Sequence, residues 1–298
     1  MVSCTYKELK NLWLEKLQFS KIENAEFEIN EMLGKALCID CRNPVYADKL
    51  KSVADVEIKK AFEKLCEKRL NGEPLQYILG EWEFYGLPFK VGEGVLIPRQ
   101  DTETLVDVAV KKLGKSENLI VSDLCSGSGC IGIALEKNLS CDKVVCVEKS
   151  DKALSYLKQN VQLNHSKADV IHGDVFDAKV INAVPMSDLI VCNPPYVTAD
   201  EMKTLQREVT FEPESALFGG EDGLDYYRDI TRIYKDKIKD GGMLLFEIGI
   251  NQEDEVMRIL IQHGFKNVRT RPDLMGVNRC VFGQKLENTK LCTDVMSV

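Results

Sequence analysis

The amino-acid sequence predicts an α/β protein: a doubly wound, mostly parallel sheet that ends in an antiparallel hairpin and is preceded by a small helical domain. Three observations carry this. From about residue 101 onward, short apolar runs alternate with stretches of helical spacing, as parallel strands joined by crossover helices require. The last two strand-like runs are joined by a short loop holding Gly276, which makes them an antiparallel pair. Before about residue 70, apolar residues recur at every third or fourth position, as on the buried face of a helix.

Taken in order, Tyr6, Leu9, Leu12, Trp13 and Leu17 mark a first helix, and Ala25, Phe27, Ile29, Met32, Leu33 and Ala36 a second. A third, from about Ala54 to Arg69, places Ile58, Ala61, Phe62 and Leu65 on one face and is ended by Gly72 and Pro74. Trp82, Phe84 and Tyr85 precede a Gly-Leu-Pro turn and then "FKV", which reads as a β-hairpin. Next come a helix (Asp101–Leu113), the strand "LIVSD", a glycine loop, the helix "CIGIALEKN", the strand "KVVCVE" and the helix "SDKALSYLKQNVQLN". The strands "DVIHG" and "DLIVCN", a helix from Leu224 to Ile238, the strand "GMLLFEIG", the helix "QEDEVMRILIQHG" and the closing strands "KNVRTRP" and "NRCVFGQK" complete the pattern. The expected boundaries are a helical domain over 1–78, a hairpin linker over 79–98, the α/β domain over 99–286 and a tail over 287–298.

Bulk properties narrow the function classes. A chain of 298 residues, 44% hydrophobic, has enough apolar material for one large or two moderate cores. Its formal net charge of −8 argues against a protein held on nucleic acid by bulk charge. The N-terminus has no apolar core of a secretory signal, and no stretch reaches the ~18 apolar residues of a membrane span. The 11 cysteines are scattered, several within strand-like runs, and read as small buried hydrophobes in a reducing cytosol. Cys38 and Cys41 form a CxxC without a second pair, and a zinc site needs about four ligands. No metal is expected.

The stretch "DLCSGSGCIG" follows an apolar strand and opens a helix, with Gly127, Gly129 and Gly132 in GxGxxG spacing. Glycine permits a tight turn and lets a ligand lie against bare backbone at a helix N-terminus. Glu148 ends the next strand, where a carboxylate can accept hydrogen bonds from both ribose hydroxyls. This order of strand, loop, helix, strand and acid points to a ribose-bearing cofactor. A dinucleotide and S-adenosylmethionine then compete. Three features favour the latter: Asp174 and Val175 in "HGDVFD", placed to meet an adenine; the antiparallel last hairpin; and "NPPY" at the fourth strand end. Cys125, beside the loop, is either a thiolate of lowered pKa or a small packing residue.

In "VCNPPY" an apolar strand ends on Asn193 and is followed by two prolines without N–H groups. The Asn193 side-chain oxygen and the Pro194 carbonyl are then two rigidly spaced acceptors, which suits the two hydrogens of a planar –NH₂. Such a grip orients the nitrogen toward an electrophilic methyl and stabilises the charge that grows on it. Pro195 stiffens the segment, and Tyr196 can stack over the planar group.

With these residues in place, the chain resembles the N5-glutamine methyltransferases of class I peptide chain release factors (the HemK or PrmC family). The resemblance runs over nearly the whole chain: "GEPLQYILGEWEFYG" at the domain junction, "VLIPRQDTE", "DLCSGSG", "NPPY" and "FEPESALFGGEDGLDYYR". It implies the class I S-adenosylmethionine-dependent methyltransferase fold, which is Rossmann-like. It also implies that Cys125, Ser126, Gly127, Ser128 and Gly129 face the methionine part of the cofactor. Glu148 then holds the ribose, Asp174 and Val175 the adenine, and Asn193, with Pro194, Pro195 and Tyr196, the substrate glutamine. Arg99, Asp101 and Glu103 are placed near the cofactor pocket without an assigned role. Where the family has Gly, Thr, Thr and Pro, this chain has Cys125, Ser126, Ser128 and Gln100. The implied substrate is the glutamine of the Gly-Gly-Gln loop of class I release factors, with the N-terminal helices either a docking surface or a stabilising cap.

Three other readings stay open at this level. DNA adenine-N6 methyltransferases share "NPPY" and grip the amine of a flipped base, but they need a basic DNA track and a recognition segment. A non-catalytic scaffold of the same fold is opposed by the intact Asn193 and glycines. Hydride transfer with NAD rests on GxGxxG alone.

Overall fold

The computed structural model describes residues 4–286. The expected tail, 287–298, lies outside the described residues. The chain divides into two compact units: residues up to Trp82 with Val91–Glu93 and Gln206–Phe211, and Glu83–Lys90, Gly94–Leu205 and the chain from Glu212 onward.

In the first unit, α1 (Tyr6–Phe19) starts at a reciprocal cap in which Glu8 N donates to Thr5 Oγ1 and Thr5 N donates to Glu8 Oε2. It packs with α2 (Ala25–Leu37), α3 (Pro44–Lys49), α4 (Val56–Leu70) and α5 (Leu75–Leu79) around Tyr6, Leu9, Leu17, Ile29, Met32, Leu33 and Phe62. The spacing assigns a few residues wrongly. Leu12 is 51% and Phe27 50% exposed, and Ala61 is exposed too, because the buried stripes run through Leu9–Trp13, Ile29–Leu33 and Phe62–Cys66 instead. Arg69, 4% exposed, closes α4 by pairing with Glu28 on α2 and with Glu208, whose segment belongs to this unit.

Strands β1 (Glu81–Phe84) and β2 (Leu87–Lys90) pair as a two-stranded hairpin. Its turn is Tyr85–Gly86, not Gly-Leu-Pro. Both residues have positive φ (53° and 73°), which matches the twist of the flanking strands. Pro88 therefore lies within a strand, and a two-stranded ribbon has a free edge that tolerates its missing N–H.

In the second unit, α6 (Glu103–Leu113), β3 (Leu119–Leu124), α7 (Cys130–Asn138), β4 (Cys141–Glu148), α8 (Asp151–Leu163), β5 (Asp169–His172), α9 (Ala178–Ala183) and β6 (Ser187–Cys192) alternate in order. After α10 (Asp225–Tyr234) come β7 (Ile238–Glu247), α11 (Glu253–Gln262), β8 (Lys266–Pro272) and β9 (Asn278–Gln284). The expected helix over 224–238 ends early, since Ile238 already pairs with Ser187 as the start of β7. The short α9 has too few residues to show a period. The sheet order is β5-β4-β3-β6-β7-β9-β8, parallel except for β9.

The strands are apolar at consecutive positions because both faces are covered. Val144, Cys146, Leu189 and Val191 join the core under α6, α7 and α8, while Val145, Val147, Ile190 and Cys192 join the core under α9, α10 and α11. Consecutive crossovers leave β3 and β6 on opposite sides of a reversal in strand order. The loops after them diverge there and open a crevice at the carboxyl ends. No helix among the described residues is long and apolar enough to cross a membrane.

Candidate active site

The glycine loop after β3 is held from below. Ser126 N donates to Val147 O at 2.9 Å, Ser126 Oγ to Asp123 O at 2.8 Å, and Gly132 N to Asp123 Oδ2 at 3.0 Å. Its glycines are needed for different reasons. A Cβ on Gly129 would lie 2.2 Å from Leu157, and one on Gly132 would lie 2.6 Å from Cys146 Sγ, so these two serve packing. A Cβ on Gly127 would meet nothing within 4 Å and would project into open space. Gly127 has φ +55°, and Cys125 is also left-handed at φ 57°, the conformation for which glycine is the low-cost residue.

Glu148 joins this loop to the end of β4. Its Oε2 accepts from Gly127 N at 2.8 Å and its Oε1 from Ser150 N at 2.7 Å, and burial raises its pKa. Asp174 Oδ1 accepts from Phe176 N at 3.0 Å, while Lys149 Nζ lies 3.2 Å from Oδ2. The Val175 carbonyl accepts from the Tyr234 hydroxyl at 2.7 Å.

Cys125, Ser126, Gly127, Ser128, Glu148, Asp174, Val175, Asn193 and Pro195 all line one cavity. It holds about 880 Å³ of atom-free space, counting the open solvent at its mouth. Gly129 stands just behind it, at the start of α7. Pro194 and Tyr196 do not line it. Pro194 is buried, and no described residue donates to its carbonyl. The Tyr196 ring packs on the core under α10, and its hydroxyl donates to Glu247 Oε1 at 3.2 Å.

Asn193 follows Cys192, which is in register with Leu124 of β3, so Asn193 and Cys125 emerge side by side. Asn193 Nδ2 lies 3.5 Å from Thr102 Oγ1. The backbone behind it is gripped by three glycines that sequence reasoning left without a role. A Cβ on Gly219 would sit 2.6 Å from Pro195 O and 2.7 Å from Tyr196 Cα, one on Gly223 would sit 2.4 Å from Tyr196 O, and one on Gly249 would sit 3.1 Å from the Tyr196 ring. Gln252 Nε2 donates to Tyr196 O at 3.0 Å.

In "RQDTE", Arg99 lines the cavity and pairs with the buried Glu212, which also accepts from Ile97 N at 3.2 Å. The two acids turn elsewhere. Asp101 pairs with Arg279 at 3.2 Å, and Glu103 accepts from Tyr85 N at 2.7 Å. The threonine between them, Thr102, lines the cavity. Sequence reasoning also missed Tyr226 and Glu247, although Tyr226 lies within "FEPESALFGGEDGLDYYR" and Glu247 ends a strand as Glu148 does. Cys41 donates to Glu31 Oε1 at 3.1 Å, and burial pushes its thiol up to about 11. Among the described residues no group of three His, Cys, Asp or Glu side chains gathers as a metal site requires.

The residues fit S-adenosylmethionine. The open space over Gly127 accepts a chain lying on bare backbone. Glu148 and Asp174 are acceptors at successive strand ends, as a nucleoside's hydroxyls and amine require.

Comparison with known proteins agrees in two ways. The methyltransferase small domain matches residues 100–218, and the PrmC N-terminal domain matches residues 8–80. A release factor glutamine methyltransferase from Clostridium botulinum is 36% identical over 287 residues, covering 93% of this chain and 99% of the relative. One from Fusobacterium nucleatum is 35% identical over 280 residues, covering 93% and 78%. The crystal structure of a methyltransferase from Pyrococcus furiosus superposes with a TM-score of 0.53 at 16% identity, over 68% of this chain and 91% of that one, which is a likeness of fold.

Proposed function

The chain belongs to the release factor glutamine methyltransferase family, and from that premise we propose that it transfers a methyl group from S-adenosylmethionine to the side-chain amide nitrogen (N5) of the glutamine in the Gly-Gly-Gln loop of class I peptide chain release factors. When bound, S-adenosylmethionine supplies an electrophilic methyl on a sulfonium centre. Gly127 and its neighbours receive the aminoacyl end, Glu148 takes the ribose, and Asp174 with the Val175 N–H takes the adenine. Asn193 Oδ1 would accept one hydrogen of the substrate amide, and the Pro194 carbonyl, which no described residue engages although Pro194 itself does not line the cavity, would accept the other, turning the nitrogen toward the methyl. The two acceptors would share the positive charge that develops there as the S–CH₃ bond breaks and the N–CH₃ bond forms, with S-adenosylhomocysteine as the leaving group. The N–H acidified by the new bond would give its proton to water at the open cavity mouth, so no strong base is needed beforehand. Tyr196 holds the segment from behind through Glu247.

The observation that carries this reading is the emergence of Asn193 beside Cys125, over the same cavity as Gly127 and Glu148. A glutamine preceded by two glycines reaches so recessed an amide grip because its neighbours have no side chains. The helical unit, 1–78, is proposed to dock the body of the release factor, with 79–98 as linker and 99–286 as the catalytic part. The substrate class places the work in the cytoplasm.

The test is incubation with methyl-labelled S-adenosylmethionine and either purified release factor or plasmid DNA, followed by mass spectrometry of the release factor peptides. One methyl on the Gly-Gly-Gln glutamine is expected. Label on DNA adenine alone would overturn the proposal.

A further inference from the structure

We propose that Glu247, acting through the Thr102 hydroxyl, is a positioning residue that decides which end of the Asn193 carboxamide meets the substrate. The proposal rests on the methyl-transfer reading above.

Phe246 stands in register with Cys192, so Glu247 and Asn193 leave neighbouring parallel strands side by side. Glu247 is 2% exposed, and its Oε2 has no hydrogen-bond partner among the described residues. A buried carboxylate oxygen left in this state is costly, and its retention calls for a reason. Its Oε1 accepts from the Tyr196 hydroxyl, and the Thr102 hydroxyl is near enough to the same carboxylate to oppose the rise of its pKa, although no hydrogen bond joins the two among the described residues. Thr102 is equally buried, lines the cavity, and holds its Oγ1 3.5 Å from Asn193 Nδ2.

A hydroxyl has a single proton to give. If Thr102 gives it to ionised Glu247, it can only accept from Asn193. The Nδ2 end of the carboxamide is then turned to Thr102, and Oδ1 is free to accept from the substrate –NH₂. If Glu247 is protonated, its proton can go to Thr102 and the Thr102 proton to Asn193 Oδ1. The carboxamide is then reversed, and an N–H₂ group faces the substrate N–H₂. Donor meets donor, and the amide is not held. The buried acid thus sets the hydrogen-bond direction at a residue it does not touch.

The arrangement makes turnover depend on pH. Burial pushes Glu247 up to about 7, with the Thr102 and Tyr196 hydroxyls and Arg279 opposing and Asp101 adding to the rise. The other titratable groups around it are Cys192 on β6, Tyr227 on α10, Cys130 on α7 and Cys280 on β9. Burial raises all four, and Tyr196 as well, away from neutrality. Asp123 is also pushed to about 7, but it supports the glycine loop, so its titration is read in cofactor affinity.

The test is steady-state methylation of a purified release factor from pH 6 to 8.5, with cofactor affinity followed by calorimetry. The wild-type kcat should rise as pH passes through about 7. Thr102→Val should lower kcat by roughly 10- to 100-fold and flatten that rise, with cofactor Kd changed by less than about threefold. Thr102→Ser should restore both the rate and the pH step, and Glu247→Gln should lack the step. The proposal fails if Thr102→Val keeps the wild-type kcat and profile, or if Thr102→Ser is as impaired as Thr102→Val, since shape and not the hydroxyl would then be what matters. It fails differently if the wild type methylates no release factor at any pH, because that result removes the underlying reading itself.

Discussion

Gly127 donates its backbone N–H to Glu148 Oε2 at 2.8 Å, tying the glycine loop to the end of the neighbouring strand. One carboxylate thereby shapes the loop and faces the cavity. Glu148→Ala leaves two amides, Gly127 and Ser150, without their acceptor, at about 1–3 kcal/mol each if they stay buried. Calorimetric titration should show S-adenosylmethionine binding weakened at least ~10-fold. Unchanged binding would remove Glu148 from the site.

Asn193→Ala should separate binding from chemistry. The cofactor Kd should stay near wild type while kcat falls by at least ~10²-fold, the loss that follows removal of one charge-stabilising partner. Single-turnover methylation of a release factor measures the second quantity directly.

Gly219→Ala probes the support behind the amide grip. Its φ is not in the left-handed region, so the effect is steric: the new methyl would sit 2.6 Å from Pro195 O. The backbone of Pro195–Tyr196 must shift, and kcat should drop ~10-fold or more, since a misplacement of about 1 Å near the reacting atoms is costly. Cofactor affinity should be retained; a wild-type rate would show that the segment is looser than its packing implies.

Arg69 carries a buried charge paired with Glu28 and Glu208. Arg69→Met leaves the Glu28 carboxylate in the core of the helical unit and should destabilise that unit by about 3–5 kcal/mol. Arg69→Met combined with Glu28→Leu should recover part of this, because no uncompensated charge remains. Limited proteolysis should find the single variant cut more rapidly near 206–211.

Stability should fall between pH 5.5 and 7. Asp123 and Glu247 titrate near 7 in the folded protein, well above the usual carboxyl values of 3.8 and 4.5. Through that window the native state keeps protons that the unfolded chain has lost, so unfolding is favoured as pH rises. The exposed acids whose pKa is lowered, Asp40 and Asp222 among them, act only at lower pH. Each raised group contributes roughly 2 kcal/mol over this range at about 1.4 kcal/mol per pH unit. Melting curves should show a lower midpoint at pH 7 than at 5.5, with Asp123→Asn flattening the trend.

Much of this protein was legible in its residues. The alternation of strand and helix, the antiparallel last pair and the glycine loop follow from local pattern, because each depends on neighbours in the chain. Asn193, Glu148 and Asp174 could be placed together for the same reason, since strands that run in parallel bring their carboxyl ends to one edge. The Tyr85–Gly86 turn was missed because "GLP" looks like a turn, whereas the twist of the ribbon selects the two residues before it. Leu12 and Phe27 were misassigned because a period of three or four admits residues beside the stripe as well as on it.

The chain order by itself determined the fold class and which strand ends bring Glu148, Asp174 and Asn193, the residues proposed to hold cofactor and substrate, to one cavity, because short segments carry that signal in their spacing. Only the tertiary structure decided which side chains stand behind them: Thr102 at the cavity instead of Asp101 or Glu103, Glu247 buried beside Asn193, and Gly219, Gly223 and Gly249 against Pro195 and Tyr196. These contacts join positions up to about 145 residues apart. What a buried carboxylate or a missing Cβ does depends on the atoms packed against it, and no local pattern in the chain specifies those.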